Sequence, residues 1–258
     1  MLLPQNIIRF LGRYSEGLRL ASEFGGTSGV VVEYAYRNEP HGSGMFGRWI
    51  DRTFLSARAW EHVRQRGEKT KATVAELIAQ RHAKGLPTMV LDVASGTARY
   101  LRELAREHGG EHLVIACRDR DPRQVMLGRQ LAAAEGLARL AFSVGDATDD
   151  SSYLTNHDPD VVLAIDLFPY LHADDAARTV VRLAFAHLAA GGCLVCTTLV
   201  RQDTGLTRWQ ANGVAPRLAV RSVETVSEWL RAAGFVDVAS RFTLPLGVGL
   251  IGWKPRES

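Results

Sequence analysis

The 258-residue sequence has only three cysteines and four lysines, and no long apolar run. An odd cysteine count offers no complete disulfide framework and fits a reducing cytoplasm. No stretch approaches the roughly 18 apolar residues that span a bilayer, so stable membrane insertion is not expected. The opening residues, MLLPQNIIRFLGR, lack a basic start, a long apolar centre and a small-residue cleavage site. They read as a helix and not as a signal peptide. A strong charge of one sign is also missing, since the net charge is +3. Residues 1–88 carry 13 Lys/Arg against 8 Asp/Glu, and residues 89–258 carry 18 against 20. That excess suits attraction of an anionic small molecule, but it is too diffuse for a nucleic-acid footprint. Internal repeats and low-complexity tracts are absent. Apolar residues make 46% and charged residues 23%, which excludes disordered, collagen-like and coiled-coil chains. A chain of this length buries roughly 70–75% of its unfolded surface, so it needs no metal or disulfide staple, and no metal site is expected.

What is present changes character near Pro87. Residues 1–87 read as a mainly helical cap or lid. Ile7, Ile8, Leu11, Leu18 and Leu20 suggest a first helix, ended by Gly25-Gly26. Val30–Tyr36 reads as a short strand or buried extended piece. Phe46, Trp49, Ile50, Phe54 and Leu55 recur at helical spacing, and a further helix carries Val74, Leu77 and Ile78 on one face. From residue 88 the pattern alternates. Strands are expected at Met89–Val93, Leu113–Cys117, Leu140–Val144, Val161–Ile165 and Leu194–Leu199. Helices are expected at Arg99–His108, Arg123–Glu135, Ala176–Leu188 and Val223–Ala233. Val236–Phe242 and Val248–Trp253 close the chain as two strands without a helix between them. The expected fold is therefore α/β: a doubly wound, mostly parallel seven-stranded sheet over residues 88–258, with an antiparallel C-terminal hairpin.

Chemistry concentrates where the strands end. Val90-Leu91-Asp92-Val93-Ala94-Ser95-Gly96-Thr97-Ala98-Arg99 runs from an apolar strand through a small-residue turn into a helix. Ligands of open α/β sheets bind at such carboxyl ends. A diphosphate site would show Gly-x-Gly-x-x-Gly, whereas here Gly96 stands between Ala94 and Ala98. Asp92 would repel a diphosphate and suit a cationic ligand. Asp119 ends the second strand, 27 residues on, where an acid can accept both hydroxyls of a ribose. Asp121 precedes Pro122 and reads as a helix cap. Asp146 and Ala147 follow the third strand, where a carboxylate can accept the exocyclic amine of adenine.

This ordered set of acids resembles the class I S-adenosylmethionine-dependent methyltransferases over residues 88–258. The resemblance implies S-adenosyl-L-methionine as cofactor. It implies that Asp92, Ala94, Ser95, Gly96 and Ala98 line its methionine part. It implies that Asp119 and Arg120 hold the ribose side and that Asp146 and Ala147 hold the adenine. Ile165, Asp166, Leu167 and Phe168, at the end of the fourth strand, would face the sulfonium and the acceptor. Alanine at 94 and 98, in place of the family's glycines, is expected where the backbone angle is ordinary. Asp166, Tyr170 and His172 are the candidate catalytic residues, to orient or deprotonate an acceptor. The implied reaction is methyl transfer to an oxygen, nitrogen or carbon of a small molecule, as in small-molecule biosynthesis. Two alternatives remain. One is a cyclase or lyase attacking the cofactor's aminobutyrate arm, giving azetidine-2-carboxylate and methylthioadenosine. The other is a non-catalytic cofactor-binding module. A homodimer is left open.

In the cap, Tyr34 and Tyr36 are candidates to face a cationic cofactor, because an aromatic face attracts a sulfonium. Phe46, Trp49 and Trp60 read as the cap's own core, and Arg64 and Arg66 as a solvated face. Gly42-Ser43-Gly44-Met45-Phe46-Gly47 matches Gly-x-Gly-x-x-Gly without a preceding strand and reads as a lid hinge. Cys193 and Cys196 lie three apart in a strand, so they point to opposite faces and do not form a metal or redox pair.

Overall fold

The computed structural model describes residues 5–26, 28–108, 110, 112–201 and 217–256. Residues 1–4 of the expected opening helix lie outside this set. The chain forms two compact units. The first comprises Met1–Arg66, Arg201–Leu218 and Leu244–Leu246; the second comprises Gly67–Val200, Ala219–Thr243 and Gly247–Ser258.

The second unit is built on a seven-stranded sheet. Its strands are β1 (Thr88–Asp92), β2 (Leu113–Asp119), β3 (Leu140–Val144), β4 (Val161–Ala164), β5 (Cys193–Leu199), β6 (Val236–Thr243) and β7 (Gly247–Trp253), in the order β3-β2-β1-β4-β5-β7-β6. β1 to β5 pair in parallel, and β7 runs antiparallel between β5 and β6. Side chains alternate between the two faces, as a pleated strand requires. Val90, Ile115, Cys117, Leu163, Cys193 and Val195 face one buried cluster; Leu91, Ala116, Val162, Ala164, Leu194 and Cys196 face the other. Cys193 and Cys196 thus sit on opposite faces. The first face is covered by α6 (Arg99–His108), α7 (Pro122–Ala134) and the Val74, Leu77 and Ile78 positions of α5 (Arg58–His82). The second is covered by α8 (Asp174–His187) and α9 (Val223–Ala232). The fold is therefore α/β and doubly wound, as the alternating pattern predicts. Local chemistry sets the helix ends. Asp121 caps α7 by accepting the Arg123 N–H at 2.9 Å, with Pro122 at the first turn. Gly136, with φ +71°, ends the turn that follows.

The first unit is helical: α1 (Gln5–Leu11), α2 (Glu16–Phe24), α3 (Gly29–Arg37), α4 (Gly44–Leu55) and α5 up to Arg66. Its core holds Leu20, Val31, Tyr34, Ala35, Phe54, Leu55, Trp60 and Val63. The buried Asp51 carboxyl pins three helices together. It accepts from the Ser15 hydroxyl at 2.5 Å, the Gly17 N–H at 3.1 Å and the Tyr34 hydroxyl at 2.5 Å.

Several readings of this half are corrected. The single first helix is two, because Ser15 starts α2 by accepting the Leu18 N–H at 3.1 Å. Val30–Tyr36 is helix and not strand. Burying Val31, Tyr34 and Ala35 along one helical face outweighs the β preference of the valine run, and Asn38 closes the helix at φ +54°. Phe46 and Trp49 are not core, being 56% and 61% exposed, whereas Trp60 is buried. Arg64 is no solvated face: it donates to the carbonyls of Ala35 at 3.2 Å and Leu55 at 3.1 Å. Arg66 is buried too. Gly42 and Gly47, at the two ends of the expected hinge, are close-approach positions. A Cβ on Gly42 would sit 2.2 Å from the Gly47 oxygen, and one on Gly47 would sit 2.2 Å from the Tyr14 oxygen.

Candidate functional site

Parallel pairing in the order β3-β2-β1-β4 brings four strand ends to one edge of the sheet. Asp92 pairs with Cys117, and Asp119 with Val144, so the turns after β1, β2 and β3 are neighbours. The β1 turn is tied down from both sides. Val93 N–H donates to Leu163 O at 3.0 Å, and Ser95 N–H to Arg118 O at 2.9 Å. Gly96 N–H donates to the Asp119 carboxylate at 2.8 Å.

Asp119 is half-buried, and its other oxygen accepts the Asp121 N–H at 2.9 Å. Burial raises this carboxyl above its ordinary value, against those two backbone donors. Each carboxylate oxygen has two acceptor sites, so both retain capacity for a further donor. Gly96 stands at φ +55°, and a Cβ built on it would meet nothing within 4 Å. The turn thus presents backbone to open space beside a carboxylate.

Asp92 is placed differently. It has no exposed surface. Its carboxyl accepts the Tyr100 hydroxyl and, at 3.0 Å, the Ala94 N–H. Burial pushes it up to about 7, partly offset by these bonds. Asp92 therefore shapes the turn from beneath. Ala98 is also buried, at φ +53°. The expected ordinary angle is not found: the alanine occupies the left-handed region its glycine counterparts favour. It is held there by its N–H to Ser95 O at 2.8 Å and by the start of α6, where its carbonyl accepts from Arg102 at 2.8 Å. Ala94 and Leu167 are half-buried; Ser95, Ala147 and Ile165 are buried; Arg120 is exposed.

Asp146 is exposed after β3. It accepts from Thr148 N–H at 2.8 Å and the Thr148 hydroxyl at 2.7 Å, which hold its carboxyl below the ordinary value. After β4, Asp166 sits at φ +57°, and its N–H donates to the Thr197 hydroxyl at 2.8 Å. Tyr170 lies half-buried in a 3-10 turn, Phe168–Tyr170, and His172 is exposed. Tyr34 is buried within the first unit with its hydroxyl on Asp51, and Tyr36 packs at the edge of that core.

Three contributors escape a reading of the sequence alone. Tyr100 secures Asp92, and Thr197 secures Asp166. Arg221 donates to Phe168 O at 2.7 Å, Leu171 O at 2.5 Å and the Asp174 carboxylate at 2.9 Å, fixing the segment after β4. Thr197 is one of two adjacent threonines, Thr197-Thr198, near the end of β5. Nothing in sequence spacing points to Arg221, which lies 53 residues from Phe168.

The family model described as "Putative methyltransferase" matches residues 3–244, and the chain belongs to that family. Fold and family together place it among the class I S-adenosylmethionine-dependent methyltransferases. A curated Escherichia coli K12 relative, YnbC, is 30% identical over 261 residues, which is 93% of this chain. The chain spans 43% of that relative's length. Among solved structures, one titled a possible exported protein from Bordetella parapertussis aligns with TM-score 0.72 and 20% identity, covering 97% of this chain and 87% of the other. The N-methyltransferase NodS of Bradyrhizobium japonicum WM9, in complex with S-adenosyl-L-homocysteine, aligns with TM-score 0.52 and 18% identity, covering 76% and 88%. These likenesses bear on fold. Among the described residues, no helix is long and apolar enough to cross a membrane.

Proposed function

We propose that the chain binds S-adenosyl-L-methionine at the carboxyl ends of β1 to β4 and transfers its methyl group to an oxygen, nitrogen or carbon of a small molecule. The observation that carries this reading is the Asp119–Gly96 bond beside an unobstructed turn. A carboxylate with acceptor sites in hand suits two vicinal hydroxyls, and an exposed backbone suits an amino-acid moiety. Asp119, with Arg120 beside it, would hold the ribose, and Asp146 with Ala147 the adenine. Ala94, Ser95, Gly96 and Ala98 would line the methionine part, and Ile165, Asp166 and Leu167 the sulfonium side.

When bound, the cofactor supplies a methyl group already activated by its sulfonium. This chain's residues therefore mainly have to align an acceptor, and positioning alone is worth roughly 7–11 kcal/mol. Asp166 and Tyr170, held by Thr197 and Arg221 respectively through their backbones and neighbours, are the candidate orienting groups, with His172 further along the same segment. A base is needed only for an acceptor that must lose a proton. The three cysteines are buried and free, which suits a reducing compartment.

The test is mass spectrometry of the purified chain incubated with S-adenosylmethionine and a panel of hydroxyl, amine and carbon acceptors. S-adenosylhomocysteine formed with a product heavier by one methyl group supports the reading. Methylthioadenosine formed without any acceptor would replace it with attack on the aminobutyrate arm.

A further inference from the structure

The first unit carries an aromatic ladder that its core does not use. Phe10 and Tyr14 meet edge-to-face at 5.9 Å, and Tyr14 meets Phe46 the same way at 5.9 Å. Phe46 then stacks on Trp49 at 6.3 Å. All four rings are exposed, and Met45 beside them is 84% exposed. Large apolar side chains scattered singly over a surface need no explanation, but a contiguous set does. Here two segments distant in sequence, residues 7–14 and α4, bring their outward rings into one row.

The two segments that carry the row expose charge of one sign. Residues 5–15 contribute exposed Arg9 and Arg13, and α4 contributes exposed Arg48 and Arg52. Neither segment exposes a carboxylate among the described residues. The one acid of α4, Asp51, is buried on Ser15, Gly17 and Tyr34. Glu16, next in sequence, is engaged by Arg19 at 2.7 Å. The hydroxyls of Thr53 and Ser56 donate to the carbonyls of Trp49 at 3.1 Å and Thr53 at 3.0 Å, so they are turned to their own backbone. What faces outward is therefore aromatic, thioether and guanidinium.

We propose that this face docks the chain peripherally on an anionic lipid bilayer. Amphipathic rings settle at the headgroup level, and arginines gather at a negatively charged lipid surface. Aromatic, methionine and arginine side chains also gather at protein interfaces; what favours a lipid surface here is four exposed arginines with no exposed carboxylate on either segment. Docking of this kind requires no spanning helix. The row spans more than one helix, since Phe10 and Tyr14 come from the opening segment and Phe46 and Trp49 from α4.

The test is flotation of the full chain with vesicles of phosphatidylcholine containing about one-third phosphatidylglycerol, set against pure phosphatidylcholine. The wild-type chain should float with the anionic vesicles only, and salt should release it. The Phe46→Ser/Trp49→Ser double variant, altered only at exposed positions, should partition at least about tenfold more weakly. The Arg48→Glu/Arg52→Glu variant should lose the preference for anionic lipid. Circular dichroism checks that both variants remain folded. Wild-type protein left in solution with anionic vesicles overturns the proposal, as does equal flotation of the aromatic variant. A homodimer that dissociates in that variant, without flotation of the wild type, assigns the face to a second copy instead.

Discussion

The Asp119 carboxylate accepts the Gly96 N–H at 2.8 Å, and so joins the end of β2 to the turn after β1. The same side chain is thus both a strut of the turn and the acid closest to it with acceptor sites to spare. A hydrogen bond to a charged group is worth about 1.5–3 kcal/mol, enough for one residue to govern both the turn's shape and a ligand's grip.

Ala98 sits at φ +53° within the same turn. A β-carbon in the left-handed region costs on the order of 1 kcal/mol, and glycine does not bear that cost. Ala98→Gly is expected to raise stability by roughly that amount, less the extra entropy glycine gives the unfolded chain. After that deduction the thermal midpoint should rise by no more than about 2 °C. A lowered midpoint would show that the buried methyl group contributes more packing than its angle costs.

The Asp92 carboxyl gives stability a particular pH dependence. An unfolded aspartate releases its proton near 3.8, whereas burial keeps this one until about 7. Between those values the folded chain binds more protons than the unfolded chain, so this group's contribution to stability declines as pH rises through that window. Asp92→Asn carries no such proton. Its stability relative to wild type should therefore improve steadily from about pH 4 to pH 7 and level off above. Urea unfolding of both proteins across that range reads the difference. A flat difference would mean that the carboxyl ionises at an ordinary pH.

Gly47 is a close-approach glycine. An added Cβ would lie 2.2 Å from the Tyr14 oxygen and 2.9 Å from the Gly42 carbonyl carbon, both of them backbone atoms. Gly47→Ala should destabilise the first unit by about 1–3 kcal/mol or more, since backbone cannot swing aside as a side chain can. Gly44→Ala, by contrast, meets no atom within 4 Å and pays only for φ +62°. Equal losses in denaturant titrations of the two variants would refute the tight crossing.

The sheet was legible because its strands are short apolar runs bounded by turn residues, and because helices separate them. Leu140–Val144 and Val223–Ala232 fall within a residue of their expected limits. The three acids Asp92, Asp119 and Asp146 could be found for the same reason: each follows such a run. What each acid does could not be read. Asp92 is consumed by Tyr100, eight residues away across a helical turn, and Asp119 also braces a turn that only β1–β2 pairing brings near, while keeping acceptor sites free. α3 was misread because a run of three valines favours strand locally, while packing of Val31, Tyr34 and Ala35 decides the outcome. Helical spacing at Phe46 and Trp49 told which face of α4 they share. It could not tell that this face is left uncovered.

The central claim is that the Asp119–Gly96 corner is the cofactor site, and isothermal titration of the full chain with S-adenosylmethionine tests it most directly. The account predicts saturable one-to-one binding by the wild type, weakened more than about tenfold in Asp119→Ala, with circular dichroism unchanged. Undetectable binding by the wild type, or equal affinity in a folded Asp119→Ala variant, would contradict it.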